Sequence, residues 1–189
     1  MQRALSGFLP DGTLINGIAN FYRTIKPLTR GDGSALVAND LWRDTANNLS
    51  WVFSGAVWRS AELQSLQING TGTTAHNPLS LAPSLVTHVY IETYSIAQQG
   101  ASATSNNASN YRNMNLLFRE RLTGTEVLVG TIQNFPLILN QANRWDVTVN
   151  TAYLLSTYSG LIYRNGALVG TDGAYLNFVS VITYRWQFA

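Results

Sequence analysis

Apolar and polar residues alternate with a period of two along much of this chain. Residues 111–122 place large apolar side chains on one face and mostly polar ones on the other, and the apolar set is Met114, Leu116, Phe118 and Leu122. Such alternation predicts a half-buried antiparallel strand. Further strand patterns occupy residues 61–69, 85–96, 145–149, 152–158 and 175–188. No stretch keeps the spacing of an amphipathic helix, so the chain is predicted to be all-β.

Turn-forming residues separate the predicted strands. Residues 98–110 contain small and polar side chains without a large apolar residue, which indicates an exposed loop. Asn165 and Gly166 stand between two apolar runs, and this pair is typical of a tight primed turn in a hairpin. Strands of this length joined by polar turns predict an antiparallel β-sandwich over residues 61–189, with jelly-roll topology preferred.

Residues 30–60 have a pattern of their own, in which three tryptophans stand between turn-forming pairs. Those pairs are Asp32-Gly33, Asn39-Asp40 and Ser54-Gly55. Trp42 and Thr45 follow the second pair, and the run of residues 51–53 is joined through the third pair to Trp58. This order predicts a Trp-rich β-hairpin unit of two aromatic strands and a tight turn.

The Trp-rich unit resembles a short unit of bacteriophage tail fibres and other virion surface proteins, in which G-D-x-W-x-x-T precedes an aromatic strand, a glycine turn and a second tryptophan. Asn39 stands where that family commonly has glycine, and asparagine tolerates the left-handed backbone better than most residues. The order of elements after residue 61 and the terminal I-T-Y-R segment resemble the β-sandwich head of some phage fibre proteins, including those of phages infecting cyanobacteria. The resemblance implies a virion-attachment arm at residues 1–29, the Trp-rich unit at 30–60 and a head at 61–189.

The predicted arm lacks sustained helical spacing, and its apolar side chains carry enough surface to need a partner. The resemblance implies that another virion protein covers them, and the candidate attachment residues are Phe8, Leu9, Leu14, Ile15 and Ile18. A turn at residues 10–12 leaves open the alternative that the arm is a β-hairpin folded back on its own subunit.

Composition favours a scaffold over a nucleic-acid-binding protein. Charged residues make up 12% of the chain, whereas about a quarter is usual. Lys26 is the only lysine, and the arginines are dispersed rather than clustered, so nucleic-acid binding is not expected. Arginine suits subunit interfaces. With no cysteine to form disulfides, oligomerisation is the expected source of extra stability, and a homotrimer is predicted.

Neither a signal peptide nor an apolar run of about 20 residues is apparent, which predicts no membrane insertion. The resemblance then implies a protein made in the host cytoplasm and carried on the virion surface. An ordinary cytosolic β protein would have the same features.

Groups suited to catalysis are scarce. His76 and His88 lack the spacing of metal ligands, and Glu92, Glu120 and Glu126 remain as candidates for the acid and nucleophile of a glycosidase. No nucleophile elbow or phosphate-binding glycine loop is present. The chain is therefore predicted to be no enzyme and to use no metal or cofactor.

Two functions fit these observations. A tail fibre would bind host-surface glycan through aromatic faces and polar loops, and the candidate residues are Trp145, Tyr153, Tyr158, Asn106, Asn107 and Asn110. A capsid cement or decoration protein would instead clamp major capsid subunits as a trimer. The Trp-rich unit favours the fibre, whose other partners would be baseplate or tail proteins. A cellular carbohydrate-binding module is a third candidate, but it lacks the enzyme it would normally serve.

Overall fold

The computed structural model describes residues 12–70, 74–78, 86–100, 111–135, 142–169 and 175–188. Within these ranges the chain forms β-strands and no helix, which confirms the all-β prediction. The strands are β1 (Thr13–Ile15), β2 (Ile18–Arg23), β3 (Leu41–Asp44), β4 (Leu49–Phe53), β5 (Trp58–Ser60), β6 (Gln64–Gly70), β7 (Thr74–Pro78), β8 (His88–Gly100), β9 (Tyr111–Glu120), β10 (Glu126–Phe135), β11 (Ala142–Leu154), β12 (Tyr158–Val169) and β13 (Tyr175–Phe188).

The chain divides into two compact units. Unit 1 comprises Met1–Leu63 together with Arg185–Ala189, and unit 2 comprises Gln64–Tyr184. Strand β13 therefore gives its last residues to unit 1 and the rest to unit 2. The sequence predicts separate regions at 1–29 and 30–60, whereas the structure groups β1 and β2 with the Trp-rich strands in one unit.

Unit 1 contains a sheet in the order β1, β2, β3, β4, β5 and the end of β13. Strands β2 and β3 are parallel, and the other neighbouring pairs are antiparallel. A parallel pair cannot be joined by a tight hairpin. Residues 24–40 supply the long connection, which we call the strap.

Aromatic side chains fill one face of the unit 1 sheet. The buried rings are Phe21, Trp42, Trp51, Trp58 and Phe188. Trp42 and Trp51 are directly opposite each other on β3 and β4, and their rings stack at 5.8 Å with an interplanar angle of 20°. Phe188, from the end of β13, lies 4.5 Å from the Trp51 ring centre. The alternating pattern of these short strands therefore produces a small aromatic core.

Unit 2 is a jelly roll. One sheet has the order β6, β13, β8, β11, and the other has the order β10, β9, β12, β7. The chain crosses between the sheets in the sequence that defines an eight-stranded jelly roll. A Cβ at Gly130 on β10 would contact Val147 and Val149 on β11, so the two sheets face each other. The predicted β-sandwich is confirmed.

Candidate functional site

A buried carboxylate fixes the strap of unit 1. Both Asp40 oxygens accept hydrogen bonds from the guanidinium of Arg30, at 2.9 and 2.7 Å. The backbone N–H groups of Ala19 and Val37 also donate to Asp40, each at 2.9 Å. Burial acts to raise the pKa of Asp40, but the hydrogen bonds from Arg30 and the two N–H groups outweigh it and lower the pKa. One side chain thus ties the strap to β2.

Two indole N–H groups hold the chain where it leaves β2 and enters the strap. Trp42 Nε1 donates to the carbonyl of Arg23 at 2.9 Å, and Trp58 Nε1 donates to the carbonyl of Pro27 at 3.2 Å. Buried tryptophan is stabilised when its polar end finds an acceptor in this way. The tryptophans therefore build the core and also position the chain that covers it.

Asp44 organises the turn between β3 and β4. Its Oδ1 accepts the N–H of Ala46 at 2.9 Å, and its Oδ2 accepts the side-chain amide of Asn47 at 2.7 Å. Asn48 completes the turn with φ of 56°, in the left-handed region that asparagine tolerates. This turn brings Asn48 next to Arg43.

The face of the sheet opposite the tryptophans forms a concavity of about 680 Å³. We call it the Arg43 groove, and its polar and exposed lining comprises Asn20, Tyr22, Leu41, Arg43, Asn48 and Ser50. In the strand register Tyr22 lies beside Arg43, and Arg43 lies opposite Ser50. Arg43 donates to Ser50 Oγ at 2.8 Å and to Asn48 Oδ1.

Sequence reasoning missed this groove. The usable pattern was the alternation within β3, where Trp42 is buried and its neighbours Leu41 and Arg43 must point to the opposite face. Tyr22 becomes their neighbour only through the parallel pairing of β2 with β3. These strands are separated by the strap, so no local sequence pattern shows that they are adjacent.

The predicted attachment residues lie partly within the described structure. Leu14 and Ile15 are exposed on β1, the edge strand of unit 1, and Ile18 begins β2 opposite Ile15. Phe8 and Leu9 lie outside the described residues. Exposed apolar groups on an edge strand are suited to a partner, and attachment through them stays a prediction.

The predicted glycan-binding residues are only partly brought together. Tyr153 and Tyr158 lie with ring centres 5.9 Å apart, and each also contacts the buried Phe118, at 4.4 and 5.0 Å. Burial raises the pKa of Tyr153. Trp145 lies in β11 opposite Ile96. The remaining candidates, Asn106, Asn107 and Asn110, lie outside the described residues.

Two further findings concern metals and membranes. Across the described ranges, no group of three or more histidine, cysteine, aspartate or glutamate side chains is placed to hold a metal ion. In the same residues, no helix has the length and apolar character needed to cross a membrane.

His88 has Thr87 Oγ1 2.8 Å from its Nδ1, an ordinary local contact.

Comparisons with known proteins provide little. No family model and no curated protein matches the chain. A solved structure from work on Bacillus endospore appendages, described as a novel family of disulfide-linked pili, is similar over 68% of this chain and 88% of that chain, with 12% identity and a TM-score of 0.29. A similarity this low carries no argument about this protein.

Proposed function

We propose that this protein is a non-enzymatic surface protein of a bacteriophage virion, a tail-fibre component that attaches to glycan on the host surface. The observation that carries the proposal is the conformation of the Trp-rich unit. Asn39, the residue that departs from the fibre pattern, has φ of 76°. Glycine adopts this left-handed region without steric cost, so Asn39 supports the turn that glycine would form at this position.

The residues that carry the resemblance are also the residues that hold unit 1 together. Asp40 is fully buried with four hydrogen bonds, and Trp42 is stacked in the core. The G-D-x-W-x-x-T pattern therefore has a physical basis in this chain, because its aspartate and tryptophan stabilise one small fold. This favours a modular unit of the kind found in fibres.

The jelly roll of unit 2 is compatible with this proposal. Jelly rolls occur in viral capsid domains and in lectins. This support is an analogy at the level of fold, and a fold hosts many functions. Function therefore depends on particular sites, such as the polar and aromatic Arg43 groove.

Immunogold electron microscopy tests the proposal. Antibodies raised against the purified chain are applied to particles of the phage whose genome encodes it. The control is the same antibody after absorption with the purified chain. Label at the tail tip would support host attachment. Label spread over the head would instead indicate capsid cement, and particles without label would overturn the virion proposal.

A further inference from the structure

Arg43 is a cation held by neutral groups. Its hydrogen bonds go to the hydroxyl of Ser50 and the side-chain oxygen of Asn48. A guanidinium has five N–H donors, so three remain after these two bonds. Among the described residues, no carboxylate forms an ion pair with Arg43. The protein therefore positions this positive charge without neutralising it.

The surroundings of Arg43 are suited to a sugar ring. Tyr22 lies beside it in the strand register and is 42% exposed. The electron-rich face of an aromatic ring attracts the axial C–H groups of a pyranose. Asn20, two residues before Tyr22 on the same face of β2, donates one amide N–H to the carbonyl of Ile18 at 3.2 Å, which leaves its second N–H and its oxygen for hydroxyl groups. An aromatic face, an amide and a guanidinium thus line one concavity.

The groove is rigid as well as polar. Its lining residues include Trp42 and Trp51, whose buried rings stack in the core on the other face of the sheet and so hold these strands in place. The Asp44-organised turn fixes Asn48, which in turn holds Arg43. Binding then requires little ordering of side chains, which favours affinity. A volume of about 680 Å³ is within the range of small-ligand sites.

We infer that the Arg43 groove binds a carboxylate-bearing sugar of an acidic polysaccharide on the host surface. The guanidinium fork matches a carboxylate in shape and charge, and Tyr22 would receive the sugar ring beside it. This inference rests on the proposed function and deepens it, because it names the site and the class of glycan. It also moves the expected site from the jelly roll to unit 1.

Titration of the purified full chain with acidic oligosaccharides tests the inference. The probes are oligomers of galacturonate, alginate, hyaluronan and polysialic acid, and the matched neutral probe is methyl-esterified oligogalacturonate, which keeps the ring but loses the charge. Isothermal titration calorimetry reports binding without a label on the protein or on the sugar. At least one acid is expected to bind, its affinity falling with added salt. The ester is expected to bind more weakly than oligogalacturonate.

Two variants test the role of Arg43 independently. Arg43→Gln removes the charge and is expected to weaken binding of the acid by at least about tenfold. Asn48→Asp changes the shape little but places a carboxylate beside Arg43, so it should compete with the ligand and weaken binding as well. Asn48 is exposed, which makes this second variant informative even where Arg43→Gln fails to fold. The control is Arg164→Gln, which removes an exposed arginine from unit 2 and should leave binding unchanged.

Several outcomes would overturn the inference. The first is that none of the four acids binds. The second is that the ester and oligogalacturonate bind equally well, and the third is that both variants bind the acid as tightly as the wild type. A change in self-association without a change in sugar binding would instead assign the groove to a protein interface. Adhesion of labelled chain to host cells separates this inference from the proposed function. Equal adhesion by wild type and Arg43→Gln would retain host attachment and reject the groove, whereas no adhesion and no particle label would reject the function itself.

Discussion

Asp40 shows how one residue can decide whether a small unit folds. It is fully buried, and its four hydrogen bonds join Ala19 of β2 to Arg30 and Val37 of the strap. Removing one partner of a buried ion pair leaves the other charge uncompensated, which commonly costs a few kcal/mol. This carboxylate therefore holds the strap against β2.

We expect Asp40→Asn to lower the free energy of unfolding by roughly 3 kcal/mol, measured by urea denaturation with tryptophan fluorescence. The control is Arg164→Gln, which breaks an exposed pair with Glu126 and should cost less than about 1 kcal/mol. The lowered pKa of Asp40 adds a pH test, because its stabilisation is fully present above the ordinary value of 3.8 and is lost as the pH falls through the lower folded pKa. The variant should therefore lose less stability on acidification than the wild type, and an equal loss would contradict this role.

Asn39 gives a second prediction at the residue scale. Its φ of 76° is costly for a residue with an ordinary side chain, by about 1 to 2 kcal/mol. Asn39→Ala should therefore reduce the free energy of unfolding by about 1 kcal/mol, while Asn39→Gly should leave it unchanged or raise it slightly. Thermal or urea unfolding of the two variants checks this. Equal effects of alanine and glycine would show that the positive φ at this position does not affect stability.

At the scale of elements, the tryptophan strands form the core of unit 1. Trp42 contacts the rings of Trp51, Trp58 and Phe188. Trp42→Ala and Trp58→Ala are each expected to lower the free energy of unfolding by roughly 3 kcal/mol or more, as is usual for removal of a buried indole. Leu122→Ala is the control, since Leu122 is 99% exposed and should matter little. An unchanged free energy of unfolding in both tryptophan variants would show that the Trp-rich strands do not form the core.

Strand β12 shows where local sequence patterns fail. Asn165 and Gly166 predict a tight turn, but the prediction is wrong, because β12 continues through them to Val169. The pairing with β9 instead shifts register there, since Asn165 lies opposite Met114 and Leu168 opposite Arg112. A Cβ at Gly166 would lie 3.1 Å from the carbonyl oxygen of Asn113. The glycine serves a close approach inside a sheet, which only the neighbouring strand reveals.

Strand ends were also beyond local prediction. The apolar face of β9 is confirmed for Met114, Leu116 and Phe118, which are fully buried, but Leu122 is exposed because the strand ends at Glu120. Residues 98–100, predicted as part of a loop, extend β8. Alternation therefore identifies faces, while tertiary pairing decides where each strand stops.

At the scale of the molecule, the sequence predicts the all-β class and the sandwich, because those follow from many strands with polar turns, and the jelly roll was the topology it favoured. It does not predict that the end of β13 belongs to unit 1, where Gln187 and Phe188 pair with Arg59 and Trp58. More than a hundred residues separate these partners along the chain, so no local pattern records the pairing. The groove was missed for a related reason, since it needs the non-local pairing of β2 with β3.

Oligomeric state is the remaining prediction for the whole molecule. Large apolar side chains are exposed in both units, including Ile25 and Leu28 in the strap and Leu128 in the jelly roll. Exposed apolar surface favours contact with further chains, and closed cyclic symmetry would cover equivalent surfaces on every copy. We therefore expect light scattering of the purified chain to give three times the 20.8 kDa of one copy. If the jelly roll forms the interface, Leu128→Gln should shift the population towards monomer. If the strap forms the interface, Leu28→Gln should have that effect instead. A monomeric wild type at micromolar concentration would contradict the trimer.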